Sequence, residues 1–129
     1  MRSIVVCASK RFREEVRLFC DDLERRGAVV YRPNINEPVF EHEQHVSPHI
    51  TRTIFRGLTL EHFEMIRKAD VCFVYNPGGY VGVSVTLEMG FAAALGRPIY
   101  ALENVSGDPC RDVLFDRVVG SPEELLKLL

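Results

Sequence analysis

The sequence predicts an α/β fold: about five parallel strands in one doubly wound sheet, covered by helices on both faces as a three-layer sandwich. Three observations lead there. The strand candidates are continuous apolar runs, such as Ile4-Val5-Val6-Cys7-Ala8 and Val71-Cys72-Phe73-Val74-Tyr75. A strand buried on both faces needs no apolar/polar alternation, and this is the signature of a covered parallel sheet. Strand-type and helix-type segments also alternate along the chain, which builds right-handed crossovers between parallel strands. Finally, no repeat, linker or low-complexity tract divides the 129 residues, so residues 1–129 read as a single domain.

Each element has its own justification. Residues 4–8 are the first strand. Residues 9–27 carry Phe12, Val16, Phe19 and Leu23 at helical spacing, with Ser9 as cap and Gly27 as terminator after Arg25-Arg26. Residues 28–31 are a second strand, stopped by Pro33. Residues 34–57 are polar and lack a steady period, so a long functional loop is expected there, with some helix over 50–55. Residues 59–69 are expected as a helix capped by Thr59, with Leu60, Phe63 and Ile66 on its apolar side. A third strand over 70–75 leads into a glycine-rich loop and a helix over 83–95, ended by Gly96. Residues 98–102 and 113–119 supply the fourth and fifth strands. Ser121-Pro122-Glu123-Glu124 opens a last helix, with a cap, a proline in the first turn and acids near the positive end.

Such a sandwich is flavodoxin-like or Rossmann-like. Its ligands bind beyond the carboxyl ends of the strands, at the switch point between the first and third. Residues 9–11 follow the first strand and residues 76–84 the third, so the fold alone brings these two loops together.

Composition narrows the class. A formal net charge of -2 lacks the basic stripe of a nucleic-acid binder. No apolar run approaches the ~20 residues that span a bilayer, so no membrane partner is expected. The first residues read as a strand, without the longer apolar region and cleavage site of a signal peptide. Cys7, Cys20, Cys72 and Cys110 are widely spread with no paired spacing, and Cys7 and Cys72 fall in buried strands as small hydrophobes. A reduced, cytoplasmic setting follows.

The chemistry concentrates in "NPGGYVGVSVTLEMGFAAALGRPIYAL", from Asn76 to Leu102. Gly78, Gly79 and Gly82 permit close backbone approach, and the helix start behind them offers unpaired N–H groups. With the hydroxyls of Ser84 and Thr86, this suits a phosphate or a sugar hydroxyl. The same glycines would serve equally well as a structural turn. Neither the dinucleotide fingerprint nor the P-loop ending is present. Glu88 lies one turn into that helix, among Val, Leu, Met, Phe and Ala. A carboxylate in such company has a partner or a task. Attack on a sugar carbon with formation of a glycosyl ester is one such task; assisting the helix start as a rim carboxylate is the plain alternative. His42, His45 and His49 raise a metal question. Their spacing is not that of a zinc hydrolase, Pro48 interrupts, and no cysteine joins, so no metal site is expected there.

The stretch "ADVCFVYNPGGYVGVSVTLEMGFAAALGRPIYAL" resembles the nucleoside 2-deoxyribosyltransferase family and its nucleotide N-glycosidase relatives. The shared pattern is an Ala-Asp strand, a loop, Gly/Ser-x-x-x-Glu-x-Gly-x-Ala, then Ala-Leu-Gly-Lys/Arg-Pro before a strand. The start "IVVCASKRFREEVRLFCDDLERRGAVVYRPN" also fits the family's small-residue loop, helix and Gly-x-x-Val-x-x-Pro strand. The similarity covers most of the chain and is weakest over 35–58. It implies cleavage or transfer of the bond between a base and deoxyribose, without metal or redox cofactor, by a homodimer or larger homo-oligomer. The family's nucleophile falls on Glu88. Its sugar- or phosphate-holding loop falls on Ala8, Ser9, Lys10 and Arg11, and its Gly/Ser on Ser84. Asn76, Gly79, Tyr80 and Gly82, in the switch-point loop, complete the expected substrate contacts. The family's aspartate near the base falls on His62, a departure; a histidine can still donate a proton to a leaving base. Asp70, at the amino end of its strand, reads as structural.

The substrate class expected is therefore a nucleoside or nucleoside 5′-monophosphate. Two other readings fit parts of the sequence. "PGGYVGVSVTLE" echoes the Pro-Gly-Gly-x-Gly-Thr-x-x-Glu motif of the lysine-decarboxylase-like phosphoribohydrolases, with a longer spacing to Glu and Val85 in place of Thr. A noncatalytic nucleotide-binding or sensing module can share the fold, since fold does not fix function.

Overall fold

In the computed structural model, which describes residues 2–35 and 47–129, five parallel strands form one sheet in the order β2-β1-β3-β4-β5. The strands are β1 (Ser3–Ala8), β2 (Val29–Tyr31), β3 (Val71–Tyr75), β4 (Ile99–Ala101) and β5 (Arg117–Val118). This is the flavodoxin-like order, with the switch point between β1 and β3. The helices are α1 (Arg13–Arg25), α2 (Pro48–Lys68), α3 (Val83–Ala94), α4 (Pro109–Asp112) and α5 (Pro122–Lys127).

All six residues of β1 are buried, as its unbroken apolar run requires. Side chains alternate across a strand, so β1 and β3 feed two separate layers. Ile4, Val6, Val71 and Phe73 pack with Val16, Phe19 and Leu23 of α1 and Leu125 of α5. Phe19 stacks on Phe73 with ring centroids 4.9 Å apart. On the other face, Val5, Cys7, Cys72 and Val74 pack with Ile66 of α2 and Val85, Met89 and Ala92 of α3. There Phe63 of α2 stacks on Phe91 of α3 at 4.5 Å. Each fully buried Ile, Leu, Phe or Met contributes about 1.5–3 kcal/mol from its burial.

Helix ends follow their sequence signals. The Ser9 side chain accepts from Arg11 N and opens a single 3-10 turn before α1. Gly27 and Gly96 sit at φ 94° and 73°, just past α1 and α3, where a side chain would be strained. Ser121 caps α5 by accepting from Glu124 N, with Pro122 in the first turn.

Two expectations need correction. The helix expected to start at Thr59 starts at Pro48 and runs 21 residues, and Thr59 lies inside it. Its cap is Ser47, which accepts from Ile50 N, the same Ser-Pro opening as in α5. Gly57 is carried through, although an interior glycine costs roughly 1 kcal/mol against Ala; His62 and Ile66 dock the helix on the sheet. The fifth strand, expected over 113–119, is only Arg117–Val118. Asp108 caps α4 instead, and Val113 follows it exposed to solvent. His42, His45 and the rest of 36–46 in the expected loop lie outside the described residues; His49 sits in the exposed first turn of α2. Among the described residues, no helix is long and apolar enough to cross a membrane.

Candidate active site

Three elements of the α2/α3 layer converge at the carboxyl end of β1. Cys7, the next-to-last residue of β1, points into that layer because it shares parity with Val5. Its Sγ lies 3.3 Å from Nε2 of His62 on α2. The same Nε2 lies 3.3 Å from Oε2 of Glu88 on α3. Behind Cys7, the Sγ of Cys72 is 3.4 Å away. This diagonal contact follows from the β1–β3 register, in which Cys7 pairs with Val74 and Val5 with Cys72.

Burial sets the protonation of this group. His62 is pushed down to about 4 by desolvation, so it is neutral at pH 7. Its 3.3 Å approach to Glu88 is then not an ion pair. Desolvation pushes Glu88 up to about 7, opposed weakly by the Cys7 thiol. The Cys7 thiol is held well above its ordinary range, first by its hydrogen bond with the Cys72 thiol and then by burial. Glu88 Oε2 is buried with no hydrogen-bond partner, which costs on the order of 1–3 kcal/mol.

Glu88 and His62 form part of the wall of a cavity of about 370 Å³, near the lower end of the ~300–1,000 Å³ of small-molecule sites. Ala8, Ser9, Lys10, Tyr80, Gly82 and Ser84 line the same cavity. The two loops at the switch point thus share one space with the carboxylate. The far wall is α2, through Phe55, Leu58, Thr59 and Phe63. Glu64, next to Phe63, turns outward and is exposed.

Three expected substrate contacts do not line the cavity. Asn76 is fully buried and brackets the chain after β4: its Nδ2 donates to Glu103 O at 2.9 Å, and its Oδ1 accepts from Glu103 N at 3.1 Å. Gly79, at φ 82°, lets the same segment approach, since a Cβ there would lie 2.0 Å from Val105 O. Both residues therefore hold a loop. Arg11 lays its guanidinium over the Tyr80 ring, 3.5 Å from the centroid, and so ties the β1 loop to the β3 loop. Asp70 is structural as expected: its carboxylate accepts from Ser3 N and Oγ, and Ser3 N holds its pKa down.

Sequence reasoning missed Arg111, whose guanidinium donates to Val81 O, Thr86 Oγ1 and Ser106 and so braces the start of α3. No local signal marks it, because its partners are distant in sequence. It also missed the placement of Cys7 beside His62, which follows from Cys7, Cys72 and Val74 sharing one face of the sheet.

No protein-family model and no curated protein matches the chain. Among solved structures, the chain is similar to a conserved protein from Enterococcus faecalis V583, with TM-score 0.57 and 16% identity. The match covers 98% of this chain and 96% of that one. At this identity it shows the α/β fold.

Proposed function

We propose that the protein cleaves or transfers the N-glycosidic bond of a nucleoside or nucleoside 5′-monophosphate, with Glu88 as nucleophile. One observation carries the reading: a carboxylate, its side chain only 14% exposed, on the wall of a nucleoside-sized cavity at the sheet's switch point. A Glu88 oxygen attacks C1′, the C1′–N bond breaks, and its electron pair leaves with the base, which takes a proton from water. Water then attacks C1′ of the glycosyl ester, the C1′–O bond breaks, and the carboxylate is restored as the water's proton passes to solvent. A second base in place of that water gives transfer. His62, neutral and with Nε2 3.3 Å from Oε2, packs against the carboxylate and fixes its position. This differs from the proton-donor role expected for it. Ser9, Ser84 and the first turn of α3 are at hand for sugar hydroxyls, and Lys10 for a 5′-phosphate.

The reading of a noncatalytic nucleotide module gains if His62 is remote from Glu88; the 3.3 Å contact favours the catalytic one. The phosphoribohydrolase reading differs in the sugar. The cavity rim is apolar and exposed, with Val83 81% and Leu87 55% accessible, and we assign it to contact with a second copy of the chain.

The test is free-base release from a panel of ribo- and deoxyribonucleosides and their 5′-monophosphates, with Glu88→Ala beside the wild type. Release that vanishes in the variant supports the reading, and the preferred substrate separates the sugars. No release, with or without an acceptor base, points to a binding module.

A further inference from the structure

The proposed reaction leaves Cys7 unused, although it touches the machinery. Cys7 Sγ, His62 Nε2 and Glu88 Oε2 all lie within 4.8 Å of one another. Two edges of this triangle are already 3.3 Å, Sγ to Nε2 and Nε2 to Oε2. Around a tetrahedral zinc ion, with Zn–S ~2.3 Å and Zn–N and Zn–O ~2.0–2.2 Å, such donors stand roughly 3.3–3.6 Å apart. The third edge, Sγ to Oε2, is no longer than 4.8 Å, so small side-chain shifts let all three meet one ion.

We propose that Cys7, His62 and Glu88 form a binding site for a borderline-soft divalent cation, zinc above all, and that the bound ion blocks glycosidic cleavage by engaging the Glu88 carboxylate. Five features support it. A thiolate, an imidazole and a carboxylate are the donor set of zinc, whereas magnesium and calcium take oxygen ligands. One thiolate and one carboxylate cancel the charge of a divalent ion, so the filled site adds no net charge to a buried layer. Glu88 Oε2, buried and without a partner, would gain one. The donors come from β1, α2 and α3, and Cys72, 3.4 Å behind Cys7, can donate its S–H to the bound thiolate. His62 and Glu88 border the cavity, which leaves the fourth position open to water or a small ligand. Binding forms the metal–sulfur bond with release of the Cys7 proton to solvent.

The ion site stands without the glycosidase reading; the inhibition rests on it. The experiment is cobalt(II) titration of the chelator-treated protein, followed by absorbance. Expected are one ion per chain, visible bands of tetrahedral cobalt, a thiolate-to-cobalt charge-transfer band in the near ultraviolet, and displacement by zinc. Cys7→Ser should abolish the charge-transfer band. Glu88→Gln should weaken cobalt binding at least tenfold, and Cys110→Ser, on the exposed cysteine, should change nothing. No charge-transfer band in the wild type, or one that survives Cys7→Ser in a protein of native circular dichroism, overturns the site. So does unaltered affinity in Glu88→Gln. Zinc should then suppress base release and a chelator restore it. Base release that zinc leaves unchanged, with the cobalt bands present, overturns the inhibition. If no substrate releases base, the glycosidase reading and the inhibition fall together, while the cobalt spectra still decide the site.

Discussion

The two faces of the sheet are built from the same strands yet differ in chemistry. On the α1/α5 face, Ile4, Val6 and Phe73 meet Val16, Phe19 and Leu23, and its thiol, Cys20, is pushed up to about 11 by burial. On the α2/α3 face, alternate residues of the same strands present Cys7 and Cys72 to His62 and Glu88, with a cavity alongside. One layer is filled for stability. The other carries buried titratable groups at a cost, including an unpartnered carboxylate oxygen. A stability cost concentrated on one face at the switch point is what a working site looks like in this fold.

The comparison can be broken by substitutions that affect one layer only. Glu88→Ala should lower base release on the order of 10³-fold or more, with a melting temperature equal to or above that of the wild type. Phe73→Ala should do the reverse: a loss of about 3–5 kcal/mol in denaturant unfolding, with turnover per folded molecule unchanged.

The pH dependence sharpens it further. Glu88 rises from 4.5 to about 7 on folding, and His62 falls from 6.5 to about 4, each mainly through its own burial. For Glu88, the folded state binds the extra proton, so its contribution is present below pH 4.5 and is lost as pH rises to about 7. For His62, the contribution is present above pH 6.5 and is lost as pH falls to about 4. In the wild type the two oppose each other between pH 4.5 and 6.5. His62→Gln should therefore uncover stability that falls by roughly 3 kcal/mol across the Glu88 window, and Glu88→Gln stability that rises by a similar amount across the His62 window. Unfolding of chelator-treated proteins, read as differences from the wild type, checks both slopes and cancels the surface carboxylates. For the same reason, base release should rise with pH through about 7, where Glu88 ionises.

Smaller effects belong to the loops. Asn76→Ala should cost about 1–3 kcal/mol by leaving Glu103 unpaired, and should leave substrate contacts in place. Arg11→Ala should cost about 0.5–1 kcal/mol through its stacking on Tyr80. A large rise in KM for monophosphates in that variant would return Arg11 to the substrate.

Much of this arrangement is legible in the sequence, for a physical reason. β1 and β3 are buried on both faces, and α3 is apolar along its length and ends at Gly96, so their apolar runs and the glycine stop are strong signals. Fold topology then gathers Ser9, Lys10, Tyr80, Gly82, Ser84 and Glu88 around one space. The first half of α2 is obscured because its buried residues, His62 and Ile66, both lie in the second half, and Gly57 breaks the period between. Its true opening, Ser47-Pro48, carries the same signal that gave α5 away. Asn76 and Gly79 look like ligand-loop residues locally, yet their partners are Glu103 and Val105, a pairing no local pattern encodes. Cys7 reads as a small hydrophobe in a strand, and only the arrival of α2 and α3 gives its thiol a histidine and a carboxylate.

The central claim is that Glu88 bonds to the sugar. Mass spectrometry of the chelator-treated protein, incubated with 2-deoxy-2-fluoro nucleosides whose glycosyl esters hydrolyse slowly, tests it most directly. The account predicts an added fluorosugar mass on the peptide containing Glu88, absent from Glu88→Ala. Base release with no adduct, or with an adduct on another residue, would contradict it.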